Sequence, residues 1–143
     1  MLLRTCAGRR GSIARLLGPA AVAAGGAAVV AALVVRDPHD PGSWGSCLFL
    51  QITGLYCPGC GGLRAVNDLA HLDIVAALSS NVFAVVLAVL TALIWAAWAR
   101  SQVTGRPVLW DRWITPLNAY VLLGSMGIFS VLRNTPLLAS LAP

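Results

Sequence analysis

The chain has no lysine and no glutamate: its ten basic residues are all arginine and its five acidic residues all aspartate. Charged residues occupy 10 % of its 143 positions, against about 25 % in a typical soluble domain. Apolar residues reach 58 %. So little charge argues against a solvated globular surface and points to a membrane protein. The net charge of +5 does not read as a nucleic-acid signal, because most of the arginines flank apolar runs, where positive charge sets orientation. No series of segments alternates apolar and polar residues, so helices are the expected spanning elements. No internal repeat is present, and the length suits a single domain.

Three stretches approach the ~20 residues that a bilayer's hydrocarbon core demands of a helix. They cover 16–35 between Arg15 and Arg36, about 82–99 ending at Arg100, and 113–132 between Arg112 and Arg133. The expected fold is therefore all-α, a membrane protein of three transmembrane helices with short interfacial helices. A basic arm over 1–15 precedes one membrane domain over 16–143. Arg4, Arg9, Arg10 and Arg15 lie before the first span, and Arg100, Arg106 and Arg112 between the second and third. The positive-inside rule makes both places cytoplasmic, with the 36–81 loop and the C-terminus outside. The first span exceeds the ~7–15 residues of a signal-peptide core and lacks a small-residue cleavage site, so it is expected to stay as an anchor. Residues after Arg9-Arg10 fit a twin-arginine signal poorly. Trp95, Trp98, Trp110 and Trp113 gather at the inner interface. Ala21 with Gly25, and Gly124 with Gly127, are small residues expected to let the spans pack closely. The lipid bilayer is the expected partner, with another membrane protein or a second copy beside it and no nucleic acid.

The 36–81 loop is long enough to carry a site. It opens on a turn-forming run, Asp37-Pro38-His39-Asp40-Pro41-Gly42. The apolar run from Cys47 to Tyr56 is too short to span and suits the interface, as do Trp44 and Tyr56. Residues 63–72 read as a short helix with Arg64, Asn67, Asp68 and His71 along one face. That stripe is expected to be solvated, with Arg64 and Asp68 close enough to pair. Asp73 is a candidate N-cap for a helix beginning at Ile74, and Asn81 for the second span.

Between those segments lies Cys57-Pro58-Gly59-Cys60-Gly61-Gly62-Leu63-Arg64, with Cys47 upstream and Cys6 in the inner arm. Three readings stay open. Cys57 and Cys60 can form a disulfide or cycle as a redox pair. A helix N-terminus and Arg64 near Cys60 would then favour its thiolate, with Cys47 as the one relay cysteine. They can ligate zinc in a Cys-Pro-x-Cys-Gly knuckle. A structural zinc needs four ligands; no second spaced pair exists, and Cys47, His39 and His71 are the remaining candidates. Or they can simply fix a turn. Attachment of a c-type haem is excluded, since Gly61 stands where histidine would follow Cys60. No cofactor is predicted outright; zinc is the one admitted. No catalytic residue is identified.

The stretch from Thr53 to Ala65 resembles the core of the bacterial membrane proteins catalogued as domain of unknown function 2752. His71-Leu72-Asp73, Asn81 and Arg133-Asn134-Thr135-Pro136 match the family's later motifs in order. Leu63 stands where the family has threonine, and Val82 where proline would follow Asn81. The resemblance implies a small multi-pass protein of the bacterial inner membrane and supplies no reaction. It implies an outer polar cluster of Arg64, Asn67, Asp73, Asn81, Arg133 and Asn134 around Cys57 and Cys60. The expected role is a non-enzymatic accessory or scaffold protein with a cysteine-stabilised outer loop. The alternative is thiol–disulfide exchange or zinc binding by the CxxC pair.

Overall fold

A computed structural model of the chain describes residues 3–106, 108 and 115–136, with side chains from residue 15 onward. Among these residues the regular structure is all helix, without strands: α1 (Leu3–Val35), α2 (Leu48–Thr53), α3 (Gly62–Ala70), α4 (Ile74–Thr104) and α5 (Pro116–Arg133). The backbone of the basic arm is continuous with the first apolar stretch in α1. Trp110, Arg112, Trp113 and the side chains of Arg4, Cys6, Arg9 and Arg10 lie outside the described residues.

Among the described residues, two helices are long and apolar enough to cross a membrane, through Arg15–Val35 and Ile74–Thr104. Only 11 % and 6 % of their most apolar stretches are buried, which is not how the core helix of a soluble protein sits. Val29, Val89 and Leu93 are among the large apolar side chains left exposed. The stretch expected to be the third span contains the helix α5. That helix begins at Pro116, capped by Thr115, whose hydroxyl accepts from the Asn118 amide at 3.2 Å, while the expected start at Trp113 lies outside the described residues. At 18 residues, with Asn118 and Arg133 among them, it is not one of the two apolar helices.

The helix α4 is two helices joined at a kink. Asn81 has non-helical backbone angles of φ −168° and ψ 98°, and it divides residues 74–80 from 82–104. Its side-chain oxygen accepts from Ala84 N–H at 2.9 Å, so it caps the second half while the chain continues through it. Residues 82–104 alone reach about 34 Å at ~1.5 Å per residue, enough for a hydrocarbon core. Asp73 caps the first half in the same way, accepting from Ala76 N–H at 2.9 Å.

The short α3 packs against α4, and α1 lies against both. Ala65, Ala77 and Val85 form a small apolar core there, with Leu69 and Ala84 against it. Phe83 and Phe129 stack at 5.6 Å between α4 and α5. Near the other end of α1, the Trp95 indole N–H donates to the Pro19 carbonyl at 3.1 Å and the Trp98 ring covers Gly18. The close approach expected at Gly25, Gly124 and Gly127 is not made among the described residues. A Cβ built at any of the three would meet open space.

Candidate functional site: a three-cysteine cluster on a clamped loop

The loop reverses direction twice before α3. Cys60 N–H donates to the Cys57 carbonyl at 3.1 Å and Gly62 N–H to the Gly59 carbonyl at 2.9 Å. Pro58 cannot donate and restricts Cys57. Gly61, the N-cap of α3, has φ +77°, a region that a side chain resists. Cys57 and Cys60 are thereby turned to one side, their sulfurs 3.0 Å apart. The chain before the turn brings in the third sulfur. Cys47 precedes α2, and its Sγ lies 3.5 Å from that of Cys57.

All three are free thiols, half-buried, and their sulfurs lie within 4.8 Å of one another. They are close enough to hold a metal ion. Three thiolates at the ~2.3 Å Zn–S distance of a tetrahedral site would sit ~3.8 Å apart; the observed separations of 3.0 and 3.5 Å are shorter, so the sulfurs would part slightly around an ion. A disulfide instead needs an S–S separation near ~2.05 Å. Cys47 and Cys60 also line a groove of about 460 Å³, together with Trp44, Tyr56, Leu63 and Arg64.

The three thiols differ in acidity. The first-turn amide of Leu50 holds the Cys47 thiol below its ordinary value, acting without a formal cap hydrogen bond, and the Cys57 and Cys60 sulfurs add to it. Cys60 is pushed up to about 12, first by burial and then by the neighbouring Cys57 and Cys47 sulfurs. This reverses the expectation that Arg64 and the helix end would favour a Cys60 thiolate. Arg64 turns away, its Nε donating to the Pro38 carbonyl at 3.2 Å.

The polar residues grouped by the family motifs fall into two sets. Asn81, Arg133 and Asn134 converge on the backbone of the cysteine loop. The Asn81 amide nitrogen donates to the carbonyls of Pro58 at 2.9 Å and Cys60 at 3.0 Å. Arg133 donates to the Cys60 carbonyl at 2.7 Å and the Ser80 carbonyl at 3.2 Å. Asn134 grips Tyr56 at both ends, accepting from its N–H at 2.8 Å and donating to its carbonyl at 2.9 Å. Three side chains from two elements, α4 and the end of α5, are thus tied to one loop through its peptide groups.

The second set fastens α3. Asn67 is buried and donates to the Leu33 carbonyl at 2.8 Å, closing the C-terminal end of α1. Asp73 does not reach the cysteines; it caps α4. His71 is not among the residues brought to the sulfurs, its Nδ1 lying 2.9 Å from the Asn67 carbonyl. The stripe of Arg64, Asn67, Asp68 and His71, read as a wet face, is largely turned inward, with Asn67 and Asp68 both buried. The expected Arg64–Asp68 pair is replaced. Asp68 accepts from the Ser80 hydroxyl at 2.8 Å and lies 3.3 Å from the His39 ring. The sequence reading missed the hydrogen-bonded pair of buried Asp68 and half-buried Ser80, and Tyr56 and Phe129 as the rings around Arg133. Only Asp68 carried a signal, its place in the stripe.

No curated protein and no solved structure matches the chain. The family match spans the cysteine loop, α3 and most of α4, while Arg133 and Asn134 lie beyond it. That match assigns residues 47–95, the stretch carrying all three cysteines of the cluster, to the family described as Protein of unknown function (DUF2752).

Proposed function

We propose that this chain is a non-enzymatic accessory protein of a membrane whose loop holds a divalent metal ion, zinc foremost, through Cys47, Cys57 and Cys60. The observation that carries the reading is the convergence of three sulfurs within 4.8 Å from two separate parts of the loop. A CxxC turn brings two thiols together by itself; the third comes from beyond α2. The clamps from Asn81, Arg133 and Asn134 support the same conclusion. They hold the loop by its backbone, so the sulfurs are not needed as its staple.

The membrane setting is part of this proposal. α1, α4 and α5 cross the bilayer, with the cysteine loop outside and the N-terminus inside an inner membrane of bacterial type. Support comes from the exposed apolar faces and from Arg15 and Arg106, which line one hollow at the far end of the helices. Lipid is the main partner, and open Gly124 and Gly127 leave α5 a face for a second copy or another membrane protein.

Metal analysis of the full chain purified in detergent, combined with mass spectrometry after alkylation, tests the metal reading. One zinc per chain that shields Cys47, Cys57 and Cys60 from alkylation is expected. A metal-free protein with a Cys57–Cys60 disulfide would overturn it in favour of thiol–disulfide exchange. One observation favours that second reading: the Cys57 sulfur lies within 3.5 Å of both other sulfurs, so Cys47 is placed to act as its relay.

A further inference from the structure

Arg133 carries a positive charge into a place where a carboxylate would be expected, and none is found among the described residues. It is 1 % exposed, and among the described residues no aspartate pairs with it. Two of its nitrogens donate to neutral carbonyls, of Cys60 and Ser80. The third, Nε, is buried without a hydrogen-bond partner. Its guanidinium carbon lies 5.5 Å from the Phe129 ring centre and 5.9 Å from that of Tyr56. Buried charges are normally paired, because removing an ion from water is costly unless an opposite charge compensates. Its hydrogen bond to the Cys60 carbonyl sets it beside the cysteine turn, where the ionisable groups that can take a negative charge are the Cys60 and Cys57 thiols and the Tyr56 phenol.

We infer that Arg133 is the counter-charge of the cysteine cluster, which takes up its metal as an anionic three-thiolate complex. The inference rests on the metal reading above. It deepens that reading by naming the charge class of the cofactor. Three thiolates around a divalent ion leave one negative charge, matched by one guanidinium. Around a monovalent ion they leave two, and one stays uncompensated in a half-buried site. Arg133 is a positioning residue in this scheme. It touches the carbonyl of a ligand residue and acts on the centre through its field. The aromatic rings exclude water from the guanidinium, which strengthens that field.

The test uses the full chain in detergent micelles, with Zn²⁺ and Cu⁺ affinities measured by competition against chromophoric chelators for the parent, R133K and R133Q. R133Q is expected to bind Zn²⁺ at least about tenfold more weakly, with R133K between it and the parent, since a buried lysine keeps only part of the charge and of the contacts. Cu⁺ is expected to lose more than Zn²⁺ in R133Q, because its complex carries more negative charge. R133Q binding zinc like the parent would overturn the inference, as would R133K falling as far as R133Q. Equal losses for the two ions would also overturn it, since a purely structural role predicts them. Cobalt spectra of the parent and C47S give a measurement that leaves Arg133 intact. Thiolate-to-cobalt absorption should drop by about one third in C47S, and an unchanged intensity would mean a neutral two-thiolate complex and sink the proposal. A parent chain that binds no metal fails the metal reading itself, an outcome distinct from all of these.

Discussion

Asn81 is the residue whose replacement reports most directly on the loop clamp. It is 1 % exposed and does two jobs, accepting from Ala84 N–H and donating to the carbonyls of Pro58 and Cys60. Alanine removes the cap, worth about 1 kcal/mol. It also strips the Pro58 carbonyl of its partner, for about 1 kcal/mol more. The Cys60 carbonyl keeps Arg133 at 2.7 Å, so its loss is smaller, about 0.5 kcal/mol. Asn81→Ala is therefore expected to destabilise the fold by about 2.5 kcal/mol, roughly a sixtyfold change in the unfolding equilibrium. Asn81→Ser separates the contributions, since a serine hydroxyl can cap but is too short to reach the loop, and should cost about 1.5 kcal/mol. The assay is reversible unfolding in mixed micelles of mild detergent and dodecyl sulfate, followed by tryptophan fluorescence. A loss of about 1 kcal/mol or less for Asn81→Ala, which the cap alone accounts for, would refute the clamp.

Leu72 sits between α3 and α4 at φ +62°, where a side chain costs about 1 kcal/mol or more. Leu72→Gly should raise stability by up to about 1 kcal/mol in the same assay despite glycine's larger unfolded-state entropy, and a net loss would count against the assigned turn. Val82 opens the second half of α4 directly after the Asn81 cap, a position where proline is favoured. Val82→Pro should therefore leave the melting temperature within a few degrees of the parent, whereas unfolding would mean that the helix runs unbroken through Asn81. In metal-free, reduced protein, iodoacetamide should modify Cys47 at lower pH than Cys60, as read by peptide mass mapping, because Cys47 is lowered and Cys60 pushed up to about 12. With its folded value above its ordinary 9.0, Cys60 contributes stability below pH 9 that is lost as pH rises towards 12. Stability that rises over that range would contradict its burial.

Much of the scaffold could be read from residue types. Asp73 and Asn81 announced themselves as caps because a short polar side chain before an apolar run has few other uses. The cysteine spacing marked the loop as chemically special, and the order of motifs linked it to Arg133 and Asn134. The direction of the α3 stripe could not be read. A 3.6-residue period says that Arg64, Asn67, Asp68 and His71 share a face, but not whether that face meets water or the end of another helix. Here it meets the Leu33 carbonyl, Pro38 and Ser80. The clamps were hidden for a related reason: their acceptors are backbone carbonyls, which carry no signature of residue type. The third sulfur was visible only as a leftover. Nothing in its ten-residue separation from Cys57 states that the turn after α2 folds back onto the CxxC.

Holding a loop by its carbonyls has a consequence for how such a protein can change. Tyr56, Pro58 and Cys60 are gripped through atoms that every amino acid possesses. The side chains between the clamps are thus free of the duty of keeping the loop in shape. The frame behaves as a socket whose contents can be swapped, so serine or histidine at 47, 57 or 60 would alter what is held there and leave the socket standing. Selection could retune the occupant through three positions while Asn81, Arg133 and Asn134 stay fixed.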